Sequence, residues 1–197
     1  MINDFDFIIS VLKEFVKKEH IQENLKVLFE SSFINKWEMW LQTELAIHIH
    51  SNDHVSKEEV TTEETFEIRE NSSIDQDRIR IDLMFRRNEQ NRFIGLELKH
   101  HKDPHSCINL MFKDWDKVRG TRKKSMKKKE IQQLFLVGIH EHENINLRNK
   151  RDKQYLNKYM IDVSKQYKRR NSPPFNQKNF RFMLIPKTNL CCTVFHW

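Results

Sequence analysis

The sequence predicts an α/β fold, a sheet with helices on its faces, and three observations predict it. Residues 79–85 and 93–99 alternate between apolar and polar side chains with the period of two that a strand imposes. Residues 131–139, IQQLFLVGI, are a short, nearly continuous apolar run of the kind buried central strands show. Around these lie stretches whose apolar residues recur every three or four positions, as in helices with one buried face. The resulting order is helices, three strands, a helix, a strand, a helix and two strands.

A chain of 197 residues suits one domain with a substantial core. Residues 1–34 form an N-terminal helical extension, 35–140 the core, and 141–197 a C-terminal helix and hairpin. No apolar run approaches the roughly 20 residues that span a bilayer. Asp4 and Asp6 stand where a secretory leader would be basic, so a cytoplasmic protein without a membrane partner is expected. Cys107, Cys191 and Cys192 are odd in number and lack metal-type spacing, which suits reduced thiols. Gly numbers only three, and there is no G-x-G-x-x-G, Walker A or G-x-S-x-G pattern. Nucleotide-cofactor folds and hydrolases with a nucleophile elbow therefore have no support. The net charge of +7 hides a split: residues 1–104 hold 14 Lys/Arg against 21 Asp/Glu, and residues 105–197 hold 21 against 7. An acidic half followed by a strongly basic one suits a polyanionic substrate.

Residues 2–31 carry Phe7, Ile8, Val11, Leu12, Phe15 and Val16 at helical spacing, with a break near Glu19 and His20 before a second helix through Leu25, Leu28 and Phe29. A helix over 35–49 turns Trp37, Trp40, Leu41, Leu45 and His48 inward, and Glu44 falls on that face. A carboxylate there needs an ion pair, a hydrogen bond or a metal, unless it sits at the margin and reaches solvent. Residues 61–70 form an acidic strand. Residues 88–91, NEQN, are the polar turn of a hairpin whose strands are 77–85 and 93–99. Pro104 precedes a helix over 106–119, with Ile108, Met111, Phe112, Trp115 and Val118 apolar and Gly120 as its stop. Residues 119–129 hold seven basic side chains, Arg119, Arg122, Lys123, Lys124, Lys127, Lys128 and Lys129, a candidate phosphate-binding loop. A helix over 152–167 and strands over 180–185 and 190–195 complete the chain.

The chemistry concentrates in residues 77–100, DRIRIDLMFRRNEQNRFIGLELKH. The apolar set Ile79, Ile81, Leu83 and Phe85 points one way, and Asp82, Glu97 and Lys99 the other. Antiparallel pairing brings the two carboxylates and the ammonium together. Two carboxylates can share a divalent cation while an ammonium holds a water or a phosphate oxygen.

Helical Glu44, then Asp82 in RIRIDLMF, then Glu97-Leu98-Lys99 in FIGLELK, then a helix and a strand, resemble the PD-(D/E)XK, or restriction-endonuclease-like, nuclease superfamily. The resemblance covers roughly residues 35–140 and departs at the motif's Pro, where Ile81 stands. It implies a central mixed sheet in αβββαβ order flanked by helices. It implies that Asp82, Glu97 and the Leu98 backbone carbonyl ligate Mg²⁺ or Mn²⁺, that Glu44 completes or supports that site, and that Lys99 orients the attacking water or stabilises the phosphate. The implied enzyme is a metal-dependent nuclease acting on DNA rather than RNA, plausible in a defence or mobile-element context, with a homodimer expected because many members dimerise to cut both strands.

Three other readings compete. A nucleic-acid-binding or interaction protein could keep the nuclease fold without turnover. A zinc protein would use the ten histidines, but no H-E-x-x-H or C-x-x-C spacing is present. An exposed cross-strand ion-pair set would account for Asp82, Glu97 and Lys99 without any chemistry.

Overall fold

The structure, a computed structural model, describes residues 3–31, 37–67, 78–88, 90–121, 131–142, 150–166 and 175–196. Three helices come first: α1 (Asp4–Phe15), α2 (Glu19–Glu30) and α3 (Trp37–His50). Asn3 starts α1 by accepting the Asp6 N–H at 2.8 Å, and Asp4 and Asp6 then lie in the first turn, where a helix favours negative charge. Strands β1 (Thr61–Glu67), β2 (Arg78–Phe85) and β3 (Phe93–His100) follow, then α4 (Pro104–Thr121), β4 (Ile131–Glu141), α5 (Lys150–Gln166), β5 (Phe180–Leu184) and β6 (Leu190–His196). Among the described residues no helix is long and apolar enough to cross a membrane.

The strands make one mixed six-stranded sheet in the order β1-β2-β3-β4-β6-β5. Only β3 and β4 run parallel, with α4 as the crossover between them; the other neighbours are antiparallel. One face packs on α1, α2 and α3 through Phe15, Leu25, Trp37, Leu83, Phe85, Leu96 and Leu98 among others. The opposite face packs on α4 and α5 through Ile81, Met84, Met111, Phe112, Leu136 and Met160. The N-terminal helices are thus one wall of the main core.

Three sequence expectations change here. The central strands are not half-buried: Met84 and Phe93 are buried as well as Leu83 and Ile94, because helices cover both faces. The expected single apolar face of β2 also breaks. Leu83 and Phe85 enter the core under α1–α3, whereas Ile81 enters the one under α4 with Met84. The break falls at Asp82. There the β1–β2 register passes from Thr62↔Leu83 to Glu64↔Ile81, and Glu63 between them lies in the left-handed region, φ 56. The helix after Pro104 also runs through Gly120 to Thr121 rather than stopping there.

Candidate active site

β2 and β3 pair only as far as Leu83↔Leu96, and the next residues on each strand are Asp82 and Glu97. Where the ladder stops, side chains take over its hydrogen bonds. The Leu98 N–H donates to Asp82 Oδ2 at 2.7 Å. The Asp82 carbonyl, beside the kink at Glu63, accepts from Gln42 Nε2 of α3. Within one strand residue the N–H and C=O face the same neighbour, so the Leu98 carbonyl faces the gap toward β2 as its N–H does.

Asp82 and Glu97 form a carboxyl pair inside this gap. Burial pushes both upward, and Asp82 beside it pushes Glu97 further, to about 9. The Leu98 N–H lowers the Asp82 pKa against its burial, whereas the neighbouring Asp82 adds to the rise at Glu97. The other oxygen, Glu97 Oε2, is buried and without a hydrogen-bond partner among the described residues.

Lys99 follows Glu97 by two residues near the end of β3. Its Nζ lies 2.9 Å from Asp114 Oδ2 of α4. Burial alone would lower the ammonium's pKa, but Asp114, Glu97 and Glu38 override it and hold Lys99 protonated. Asp114 is itself held below the usual carboxylate range, against its burial, by Lys117 and Lys99. On the other side of β3, Glu38 of α3 meets His100 Nδ1 at 3.3 Å, and that ring stands edge-on against Trp37. The His100 contact lowers the Glu38 pKa despite partial burial. Asp82 and Lys99 both feel the Glu38 charge.

Asp82, Glu97, Leu98 and Lys99 therefore come together as the spacing predicts. Glu44 does not join them. Its carboxylate meets His20 Nε2 of α2 at 3.5 Å and is 29% exposed. The buried residues of α3 are Trp37, Leu41, Gln42, Leu45 and Ile49, so the inward arc centres away from Glu44. Gln42 faces Asp82, and Glu38 lies one turn before it on the same side. Glu44, two residues past Gln42, is turned about 200° away. Glu38 is thus the acidic residue of α3 whose charge reaches Asp82 and Lys99, and Glu44 contacts His20 instead. Arg122, Lys123, Lys124, Lys127, Lys128 and Lys129 lie outside the described residues, as does the side chain of Arg119.

Sequence reasoning also missed Gln42 and Asp114. A usable signal existed for Asp114: it follows Met111 by three positions and adjoins Trp115, so it borders the buried stripe of α4.

No protein-family model, curated protein or solved structure matches this chain. The chemistry of the site must come from its own donors. A carboxyl pair that holds a proton when alone, a buried carboxyl oxygen without a partner and a carbonyl facing the gap form an all-oxygen donor set. That set fits a hard divalent cation such as Mg²⁺, which keeps several waters and needs few protein ligands. Among the described residues no three His, Cys, Asp or Glu side chains are grouped as a ready-made cage, so the carbonyl and waters would have to complete the coordination.

Proposed function

We propose that this chain is a metal-dependent nuclease that hydrolyses phosphodiester bonds, in DNA rather than RNA, with a restriction-endonuclease-like core built from α3, β1, β2, β3, α4 and β4. The observation that carries the reading is the buried Asp82–Glu97 pair where β2 and β3 part, with the Lys99 ammonium two residues past Glu97. An exposed ion-pair set would need no such burial. The basic second half of the chain supports a polyanionic substrate.

Asp82, Glu97 and the Leu98 carbonyl would hold Mg²⁺ or Mn²⁺. The bound ion would supply Lewis acidity toward a phosphate oxygen and an acidified water. On holding the ion Glu97 would release its proton to solvent. Leu98 N–H and Gln42 hold Asp82 in place throughout. Lys99 presents a fixed positive charge to a non-bridging phosphate oxygen, where negative charge grows as the nucleophile adds. Arg119 and the basic residues to Lys129 would contact flanking phosphates, and two copies of the chain would serve the two strands of a duplex.

The test is a cleavage assay with Mg²⁺, Mn²⁺ or EDTA on linear and supercoiled duplex DNA, single-stranded DNA and RNA. Wild type should cut duplex DNA only with metal. Glu97→Ala and Lys99→Ala should each lose at least about 100-fold in rate. Glu44→Ala should cut as wild type does, and Glu38→Ala should cut more slowly. Binding of nucleic acid without metal-dependent cutting, unchanged in the Glu97 and Lys99 variants, would overturn the enzyme reading in favour of a binding protein.

A further inference from the structure

Lys99 sits on a flexible four-carbon stem among carboxyl groups. Asp82 and Glu97 lie on one side and Glu38 on the other, and all could attract its ammonium. An ammonium that folded onto the Asp82–Glu97 pair would occupy the charge that a divalent cation needs. The structure shows it elsewhere, 2.9 Å from Asp114 Oδ2. The second oxygen of Asp114 takes the Lys117 ammonium at 2.7 Å. Asp114 is 15% exposed, Lys99 21% and Lys117 70%, so Asp114 stands between a half-buried cation and a solvent-facing one.

The placement of Asp114 depends on one close approach. Gly138 is the β4 partner of Lys99. A Cβ at Gly138 would stand 2.4 Å from Met111 Sδ and 2.8 Å from Cys107 Sγ of α4. The helix therefore rests directly on the strand beside Lys99, and Asp114, three residues past Met111, is carried over the ammonium. Cys107 and Met111 are fully buried, so this seat is rigid packing.

We infer that Asp114 is a positioning residue. It holds the Lys99 ammonium off the Asp82–Glu97 pair, so that the pair stays open to a divalent cation and Lys99 stays directed at the substrate phosphate. The inference rests on the reading of Asp82 and Glu97 as cation ligands.

The test is calorimetric titration of the full chain with Mn²⁺ alone, on wild type, Asp114→Asn, Asp114→Glu, Lys99→Met and the Lys99→Met/Asp114→Asn double variant. Urea unfolding confirms that each is folded. Asp114→Asn should weaken Mn²⁺ binding about 10- to 100-fold, because the released Lys99 competes for the carboxyl pair. Asp114→Glu should recover part of the loss. In the Lys99→Met background Asp114→Asn should change nothing, since no ammonium remains to compete. In cleavage assays the Asp114→Asn loss should fall on kcat and not on KM. An equal loss of Mn²⁺ affinity with and without Lys99 would make Asp114 merely structural and overturn the inference. So would unchanged binding in Asp114→Asn. If wild type binds no Mn²⁺, and Glu97→Gln changes nothing, the cation site itself is wrong.

Discussion

His140 illustrates what a buried ionisable residue does when it takes no part in a site. It is fully buried in β4, with Nε2 accepting from Thr193 Oγ1 at 2.7 Å and Nδ1–H donating to the Glu141 carbonyl at 2.9 Å. Both ring nitrogens are used by the neutral form, and burial pushes the pKa down to about 4. The unfolded chain, with an ordinary histidine near 6.5, therefore takes up the proton first as the pH falls. The stabilisation is complete above about pH 6.5 and is lost as the pH falls toward 4. It should amount to about 3 kcal/mol, from the pKa difference. Urea unfolding between pH 7.5 and 4 should show this slope in wild type and lose it in His140→Gln. An equal slope in both would place the effect elsewhere. Glu97 has the opposite character: its Oε2 is buried without a hydrogen-bond partner among the described residues.

At the scale of elements, the site is made by two departures from regularity. The β1–β2 pairing skips Asp82, opposite Glu63 with φ 56, and α4 lies so close to β4 that a Cβ at 138 would crowd Met111 and Cys107. A strict alternation of side chains would have turned Ile81 with Leu83, and the ladder would have run on past Asp82. Gly138→Ala should push α4 outward and separate Asp114 from Lys99. We expect a loss of about 1–3 kcal/mol in urea unfolding, the range for overpacking a tight core, with a fall in Mn²⁺ affinity beyond it. Gly95→Ala is the comparison, since its Cβ would stand 3.1 Å from Leu134 Cδ1 and 3.4 Å from Ile81 Cγ2, without the closer approaches found at Gly138. It should cost less and leave Mn²⁺ binding intact. Equal effects of the two substitutions would show that the seat of α4 does not govern the site.

At the scale of the whole molecule, one sheet is shared by two apolar layers, so neither layer persists without the other. Thermal unfolding of the metal-free chain should therefore be a single transition, with calorimetric and van't Hoff enthalpies in agreement. The first helix is tied in by a buried ion pair, Arg87 to Asp4 at 2.8 Å, with Arg87 also over the Phe7 ring and Gln90 donating to the same Asp4 oxygen at 3.2 Å. Arg87→Ala leaves a buried carboxylate without its charge partner and should cost about 3 kcal/mol in the same transition, not create a second one. A separate early transition would show that the N-terminal helices fold as an independent extension.

The sequence by itself determined the elements and the central trio. The period of two in β2 and β3, the apolar run of β4, the spacing of α4 and α5 and the final hairpin are local patterns, and local sterics reads them directly. Asp82, Glu97 and Lys99 were legible for the same reason, because two residues along a strand return to one face. Tertiary structure alone decided which helical acid faces them. The apolar arc of α3 is more than 100° wide and each residue turns 100°, so the composition of the arc admits either edge. The contact of α3 with β2 through Gln42 selects Glu38 and leaves Glu44 to His20. The same holds for Asp114, which reaches Lys99 only because a glycine on a third element lets the helix down onto the sheet. Contacts between residues far apart in the chain depend on how elements pack, and no periodicity within one element encodes that.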